Sequence, residues 1–158
     1  MEQKLDQKDI QIINHLVKNA RVNASDISKD IGLSTSAVIE RIKKLEKSGI
    51  ISGYTAILDP RRVDLDVTAI ITVVMDHPKY NDKFVHAILA NKNITECHYM
   101  AGDHDFYIKV VTQNTNSLQD ILNDIKRIEG VAKTKTRIVL NTPKNVIAIV
   151  PEANHGNF

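Results

Sequence analysis

The sequence predicts an α+β fold in two parts: three short helices closed by a small hairpin, then a sheet domain of order βαββαβ. Three observations predict it. Ala24–Gly53 reads ASDISKDIGLSTSAVIERIKKLEKSGIISG, two helical patterns with their caps and a following turn. After Asp66 the apolar period changes from that of a helix to that of a strand. Two further helical stretches, Asn81–Ala90 and Ser117–Ile128, are interleaved with the strand patterns.

Ile10, Ile13, Leu16 and Val17 recur at helical spacing. Asp6 suits the cap of that helix, and Asp9 suits its positive end. The pattern fades near Ala20–Arg21. Asn23 is the expected cap of the second helix, which buries Ile27 and Ile31 and ends at Gly32 in the left-handed conformation. Leu33 is expected to turn inward, and Ser34 to cap the third helix through its hydroxyl. Val38, Ile42 and Leu45 form the apolar stripe of that helix, which runs to about Ser48 and stops at Gly49. Ile50–Ile51, a turn at Ser52–Gly53 and Tyr54–Leu58 predict a hairpin, and Pro60 closes the unit. Helix, turn, helix and hairpin in this order make a winged helix-turn-helix of residues 1–60. The polar run DPRRVDLD supplies the linker, residues 61–66, and residues 67–158 form the second domain.

Val67–Met75 is a strand with Val67, Ala69, Ile71, Val73 and Met75 on one face and Ile70 and Val74 on the other. Asn81–Ala90 turns Phe84, Val85, Ile88 and Leu89 inward. Ile94–Ala101 and Phe106–Thr112 are strands around the turn GDHD. Ser117–Ile128 carries Leu118, Ile121, Leu122, Ile125 and Ile128 on one side, and Val131–Leu140 is the next strand. Val146–Val150 is a further candidate strand. The order βαββαβ is that of the ferredoxin-like fold. Both helices then cover one face of the sheet. Because the first strand is apolar on both faces, a second copy of the chain is the expected cover of the other face, in a two-fold dimer.

The net charge is only +2, with 25% charged and 42% hydrophobic residues, so bulk composition does not select a partner. Its distribution does. Arg41, Lys43, Lys44, Lys47, Arg61 and Arg62 stand against Glu46 and Asp59 between Arg41 and Arg62, a local basic patch suited to phosphate contact. Cys97 is the only cysteine, which excludes an internal disulfide framework and favours a reducing, cytoplasmic setting. The N-terminus MEQKLDQKD lacks a signal-peptide apolar stretch, and no apolar run is of membrane-spanning length.

A helix-turn-helix places its second helix in the major groove with its first residues near base edges. Ser34, Thr35 and Ser36 are small hydroxyls able to approach groove walls. Ile39 can touch a thymine methyl, or lie at the rim of the core. Arg41, Lys43 and Lys44 are expected on phosphates, giving affinity but little sequence information. Glu40 either reads a cytosine amine or pairs with Lys44 one turn on, and the pair is the favoured reading. Double-stranded DNA is the expected partner.

Three passages carry a family resemblance: LDQKDIQIINHLVKNAR; ISKDIGLSTSAVIERIKKLEKSGIISGYTAILDP; and MAGDHDFYIKV followed by VAKTKTRIVL. They resemble the Lrp/AsnC family of leucine-responsive, feast/famine transcription regulators, in the family's domain order and across almost the whole chain. The resemblance implies a DNA-binding N-terminal domain and a ferredoxin-like domain that dimerises and senses small molecules, often amino acids. It also implies assembly into octamers or larger, at the nucleoid, with effectors bound where dimers meet.

The resemblance places the effector near Met100, Gly102, Asp103, His104 and Asp105. There a carboxylate of Asp103 or Asp105 can hold an α-ammonium. Backbone N–H groups, or the hydroxyls of Thr134 and Thr136, can take the carboxylate. Family members often carry an aromatic residue where this chain has His104, whose charge changes near neutral pH.

Two other classes compete. No activated nucleophile, Gly-rich phosphate loop or catalytic motif supports an enzyme. Cys97, His98, Asp103, His104 and Asp105 suggest a metal cluster, but adjacent Cys97 and His98 point to opposite faces of a strand. No cofactor and no metal are expected. An architectural DNA-binding protein without an effector shares every DNA-side feature.

Overall fold

The computed structural model describes residues 4–151. The chain divides into two compact units, Met1–Ala56 with Lys144–Phe158, and Ile57–Pro143.

In the first unit α1 spans Gln7–Lys18, α2 Ala24–Ile31 and α3 Thr35–Lys47. Asp6 and Asp9 form a capping box at the start of α1: the Asp6 side chain accepts from Asp9 N at 2.8 Å, and Asp6 N donates back to Asp9 at 3.2 Å. The buried face of α1 is Asp9, Ile10, Ile12, Ile13 and half-buried Leu16. Ile12 is therefore a core residue the sequence reading left out. Val17, expected inside, is 45% exposed; it stands in the last turn of α1, which ends at Lys18.

Asn23 occupies the cap position of α2 without a side-chain bond, and Gly32 ends the helix at φ +67°. Ile12, Ile13, Ile27, Ile31, Val38 and Leu45 form the core, joined by Leu33, Ile42, Ile51 and Val150. At roughly 25 cal/mol per Å² of buried apolar surface, each such side chain contributes about 1.5–3 kcal/mol.

The expected hairpin over Ile50–Leu58 is absent: no backbone ladder joins Ile50–Ile51 to Tyr54–Leu58. A two-residue first arm offers too few ladder bonds, and an isolated two-stranded hairpin is marginal in water. The segment is instead tied to α3. Ile51 N donates to Leu45 O at 3.1 Å, and Tyr54 Oη donates to Glu46 Oε1 at 2.9 Å.

Burial, then the Glu46 carboxylate, push the Tyr54 hydroxyl up to about 12. The folded value lies above the unfolded one of about 10. Its contribution to stability is therefore complete below the unfolded value and is lost as pH rises through the folded one. In an absorbance titration Tyr54 is expected to ionise at about 12, and Tyr54→Phe should delete that step. A Tyr54 ionising at the ordinary value of about 10 would mean that the hydroxyl is free in water.

In the second unit a 3-10 turn, Pro60–Val63, leads into β1 (Val67–Met75). Then follow α4 (Asn81–Leu89), β2 (Ile94–Tyr99), β3 (Phe106–Thr112), α5 (Thr115–Arg127) and β4 (Val131–Ile138). The four antiparallel strands lie in the order β2-β3-β1-β4. This is the predicted ferredoxin-like arrangement. Ala69, Ile71, Val73 and Met75 of β1 and Phe106, Ile108 and Val110 of β3 pack with Phe84, Ile88, Leu118, Ile121 and Ile125. Both helices therefore cover one face.

Leu89, expected in this core, is 77% exposed. It stands about 100° round α4 from buried Ile88. The candidate strand Val146–Val150 does not form. The tail from Lys144 belongs instead to the first unit, where Val150 meets the helical core.

On the other face Thr68, Ile70, Thr72 and Val74 are half-buried. Register places Lys109 and Arg137 beside Ile70, Tyr107 and Lys135 beside Thr72, and Lys133 beside Val74. The face is thus an apolar strip bordered by cations. Among the described residues no helix is long and apolar enough to cross a membrane.

Candidate nucleic-acid interface and effector turn

The start of α3 is built by its hydroxyls. Ser34 caps the helix, accepting from Ala37 N at 3.2 Å. Its Oγ lies 3.1 Å from Ser36 Oγ, and Thr35 Oγ1 lies 3.2 Å from Ser28 Oγ. All three residues remain exposed. Ser36, Ile39, Glu40, Lys43 and Lys47 then follow at helical spacing on the side opposite buried Val38 and Leu45. Ile39 is 42% exposed, so it lies outside the core. Glu40 pairs with Lys44 at 3.3 Å, as favoured from spacing. Lys43 and Lys47 are exposed, and among the described residues neither has an ion-pair partner.

Arg41 departs from its expected place. Its Nη1 donates to Asp6 Oδ2 and to Asp9 Oδ1, both at 2.7 Å. The Asp9 side chain is 8% exposed and that of Arg41 31%. Asp6 and then Asp9 hold the guanidinium more firmly protonated than usual. Burial acts to raise the Asp6 carboxyl, but the Asp9 backbone N–H and Arg41 outweigh it and hold it below the usual carboxylate range. The partners Asp6 and Asp9 were legible only as caps. The missed signal is Asp9 itself, a carboxylate on the buried stripe of α1, which requires a cation.

In the second unit the β2–β3 turn carries Gly102 at φ +137°, a conformation that L side chains rarely adopt. Asp105 fixes this turn to β1. Its Oδ2 accepts from Met75 N at 2.7 Å, and its N–H donates to Val73 O at 2.9 Å. Its carbonyl accepts from Met100 N at 2.8 Å. Asp105 is therefore an anchor of the turn, and Asp103 is exposed within it.

Met100, Gly102, Asp103, His104 and Asp105 are brought together. Thr134 and Thr136 are not. They sit on β4 opposite Val73 and Ile71, and β1 lies between them and the strand that carries the turn. At about 4.8 Å per strand, two strand spacings separate β3 from β4.

Among the described residues no three His, Cys, Asp or Glu side chains are placed to share a metal ion. Cys97 pairs with Ile108 and packs toward the helix-covered core, where burial raises its thiol, while His98 pairs with Tyr107 on the other face. A cleft of about 430 Å³ between the end of α4, α5 and the start of β2 was not foreseen. Ile88, Ile94 and Ile125 line it together with Lys92 and Asp124, and those charged residues carry no motif that would have marked it.

The chain matches two family models, the Lrp/AsnC ligand binding domain over residues 68–148 and a winged helix-turn-helix DNA-binding domain over residues 5–52. It is 36% identical over 149 residues to a leucine-responsive regulatory protein of Haemophilus influenzae, covering 92% of this chain and 90% of that protein. The leucine-responsive regulatory protein of Escherichia coli K12 is 32% identical over 143 residues, with 89% and 87% covered.

Among solved structures, Escherichia coli AsnC superposes with a TM-score of 0.88 at 27% identity, covering 94% of this chain and all (100%) of that one. A Neisseria meningitidis transcriptional regulator in complex with L-Met has a TM-score of 0.88 at 26% identity, covering 96% and 99%. The helix-turn-helix and the four-stranded domain thus occur together, in this order, in proteins of one kind, and the chain belongs to the Lrp/AsnC family of DNA-binding transcriptional regulators.

Proposed function

We propose that the chain is a sequence-specific regulator whose DNA binding or assembly responds to an amino acid. The observation that carries the DNA half is the exposed side of α3, which opens with Ser34, Thr35 and Ser36 and continues through Ile39 to Lys43 and Lys47. In this reading the hydroxyls and Ile39 meet the groove wall, Lys43 and Lys44 meet phosphates, and Glu40 holds Lys44. Arg41 is not carried over as a phosphate contact, because two carboxylates already share its charge.

The effector half rests on the anchored turn with Asp103 free beside Met100, Gly102 and His104. The Neisseria relative bound to L-Met supports an amino acid as its ligand class. Asp103 would hold the ammonium. Thr134 and Thr136 would reach the same ligand only from another copy of the chain. The strip of Ile70 and Val74 favours a two-fold dimer, with higher assembly built from it.

Thermal melting of the full chain with each of the twenty amino acids tests the sensing half. A ligand of the native state at about 100 times its Kd stabilises by about 2.7 kcal/mol, which is readily resolved. If none raises the melting temperature and none alters DNA affinity, the effector-free architectural reading replaces this one. For the DNA half, Lys43→Ala is expected to lower the salt slope of log affinity by about 0.9, one phosphate contact. An unchanged slope removes Lys43 from the interface.

A further inference from the structure

We propose that Arg41 is a positioning residue that sets sequence discrimination by pinning α3 to the first turn of α1, and that it does not itself neutralise a phosphate. The proposal rests on the DNA-binding reading above. A surface arginine on the basic side of a DNA-reading helix is ordinarily assigned to the backbone of the duplex. Here the chemistry is different. One guanidinium nitrogen bridges two carboxylates at 2.7 Å each, so Arg41, Asp6 and Asp9 together carry a formal charge of −1. Such a group offers no net attraction to phosphate.

The bridge is also built into the fold on both sides. Asp6 and Asp9 are the two halves of the α1 capping box, so their side chains are already held in place by backbone N–H groups. Asp9 lies on the buried stripe, 5% exposed as a residue, beside Ile12 and Ile13 of the core. Arg41 stands one residue before half-buried Ile42 and four before buried Leu45. The bond therefore joins the rigid start of one helix to the middle of another. Bonds between charged, oriented groups resist rotation in a way that apolar contacts alone do not. Rotation of α3 about its axis would turn Ser36, Ile39, Lys43 and Lys47 through the same angle; the short Ser36 and Ile39 would lose the base edges, while the long, flexible lysines could still reach phosphates. Base readout depends on a fixed rotation, and phosphate contact much less so.

The two roles give opposite outcomes for the carboxylates. A preferred duplex is first selected from random sequence with the full wild-type chain, and a scrambled duplex of the same composition serves as the non-specific probe. Removing the Asp9 charge should tighten all DNA binding if Arg41 works as a cation on phosphate, because the freed guanidinium then gains net charge. It should weaken binding to the selected duplex alone if Arg41 works by position.

The expected result is that Asp9→Asn and Arg41→Ala each lower affinity for the selected duplex by about tenfold, the size of one misread base pair. Affinity for the scrambled duplex should change by less than about twofold, with the salt slope unchanged. The double variant should be no worse than Arg41→Ala, as for residues in one network. Asp6→Asn keeps a good helix cap, so it carries the same test should Asp9→Asn melt the domain.

The proposal is overturned if Arg41→Ala weakens both duplexes alike and lowers the slope by about 0.9. It is equally overturned if Asp9→Asn and Asp6→Asn leave the selected duplex unaffected or bound more tightly. A wild-type chain that selects no sequence sinks the sequence-specific reading, and this inference with it.

Discussion

Leu45→Ala is expected to destabilise the helical unit by about 3 kcal/mol, within the range of about 2–5 kcal/mol for truncating a fully buried leucine, and to abolish duplex binding. Leu45 is wholly buried among Ile12, Ile27 and Val38, so it is the point where α3 meets both other helices. Its carbonyl also accepts from Ile51 N, the bond that starts the segment after α3. Truncation leaves a cavity and loosens the helix that carries the proposed interface.

The two hydrophobic clusters share no buried residue. Amide exchange should therefore show lost protection across Gln7–Lys47 and retained protection across β1, β3 and β4. A cost under about 1 kcal/mol with duplex binding intact would mean that the three helices are held by something other than this core.

Gly130→Ala should be comparably damaging in the second unit. Gly130 has φ +88°, and a Cβ built on it would fall 2.3 Å from Tyr80 Cγ and 2.4 Å from Tyr80 Cβ. Those atoms are at the root of the ring, so the tyrosine cannot simply swing clear. Left-handed backbone costs about 1–2 kcal/mol for a residue with a side chain, and overpacking adds about 1–3 kcal/mol. The carbonyl of Gly130 also accepts from Asp76 N at 2.8 Å, tying the start of β4 to the end of β1. A urea melt should record the loss. Adding Tyr80→Gly should return part of it, because both the Cβ and the ring of Tyr80 go and the backbone strain at residue 130 stays. If Gly130→Ala melts like the wild type, the close approach of Tyr80 is not a feature of the native state.

The sequence by itself determined the elements and their order. Caps at Asp6 and Ser34, the left-handed stop at Gly32 and the change of apolar period after Asp66 are local signals, and local signals suffice for local structure. The same holds for the ferredoxin-like order and for the start of α3, whose hydroxyls, Ile39 and Glu40–Lys44 pair lie where spacing put them. Residues that needed a partner distant in the chain were misread. The Ile50–Leu58 hairpin and the Val146–Val150 strand had the right composition but form no ladder.

Leu89 and Val17 were apolar at permitted spacing yet fell outside the buried faces. The bond by which Asp105 accepts from Met75 N–H, thirty residues away, was not legible in the sequence. Thr134 and Thr136 read as neighbours of the turn, and β1 lies between. Arg41 is the clearest case. Its charge and its helix are legible in the sequence, but charge alone names no partner. Only tertiary packing, which carried α1's capping carboxylates to within 2.7 Å, decided the partners of this cation within the chain.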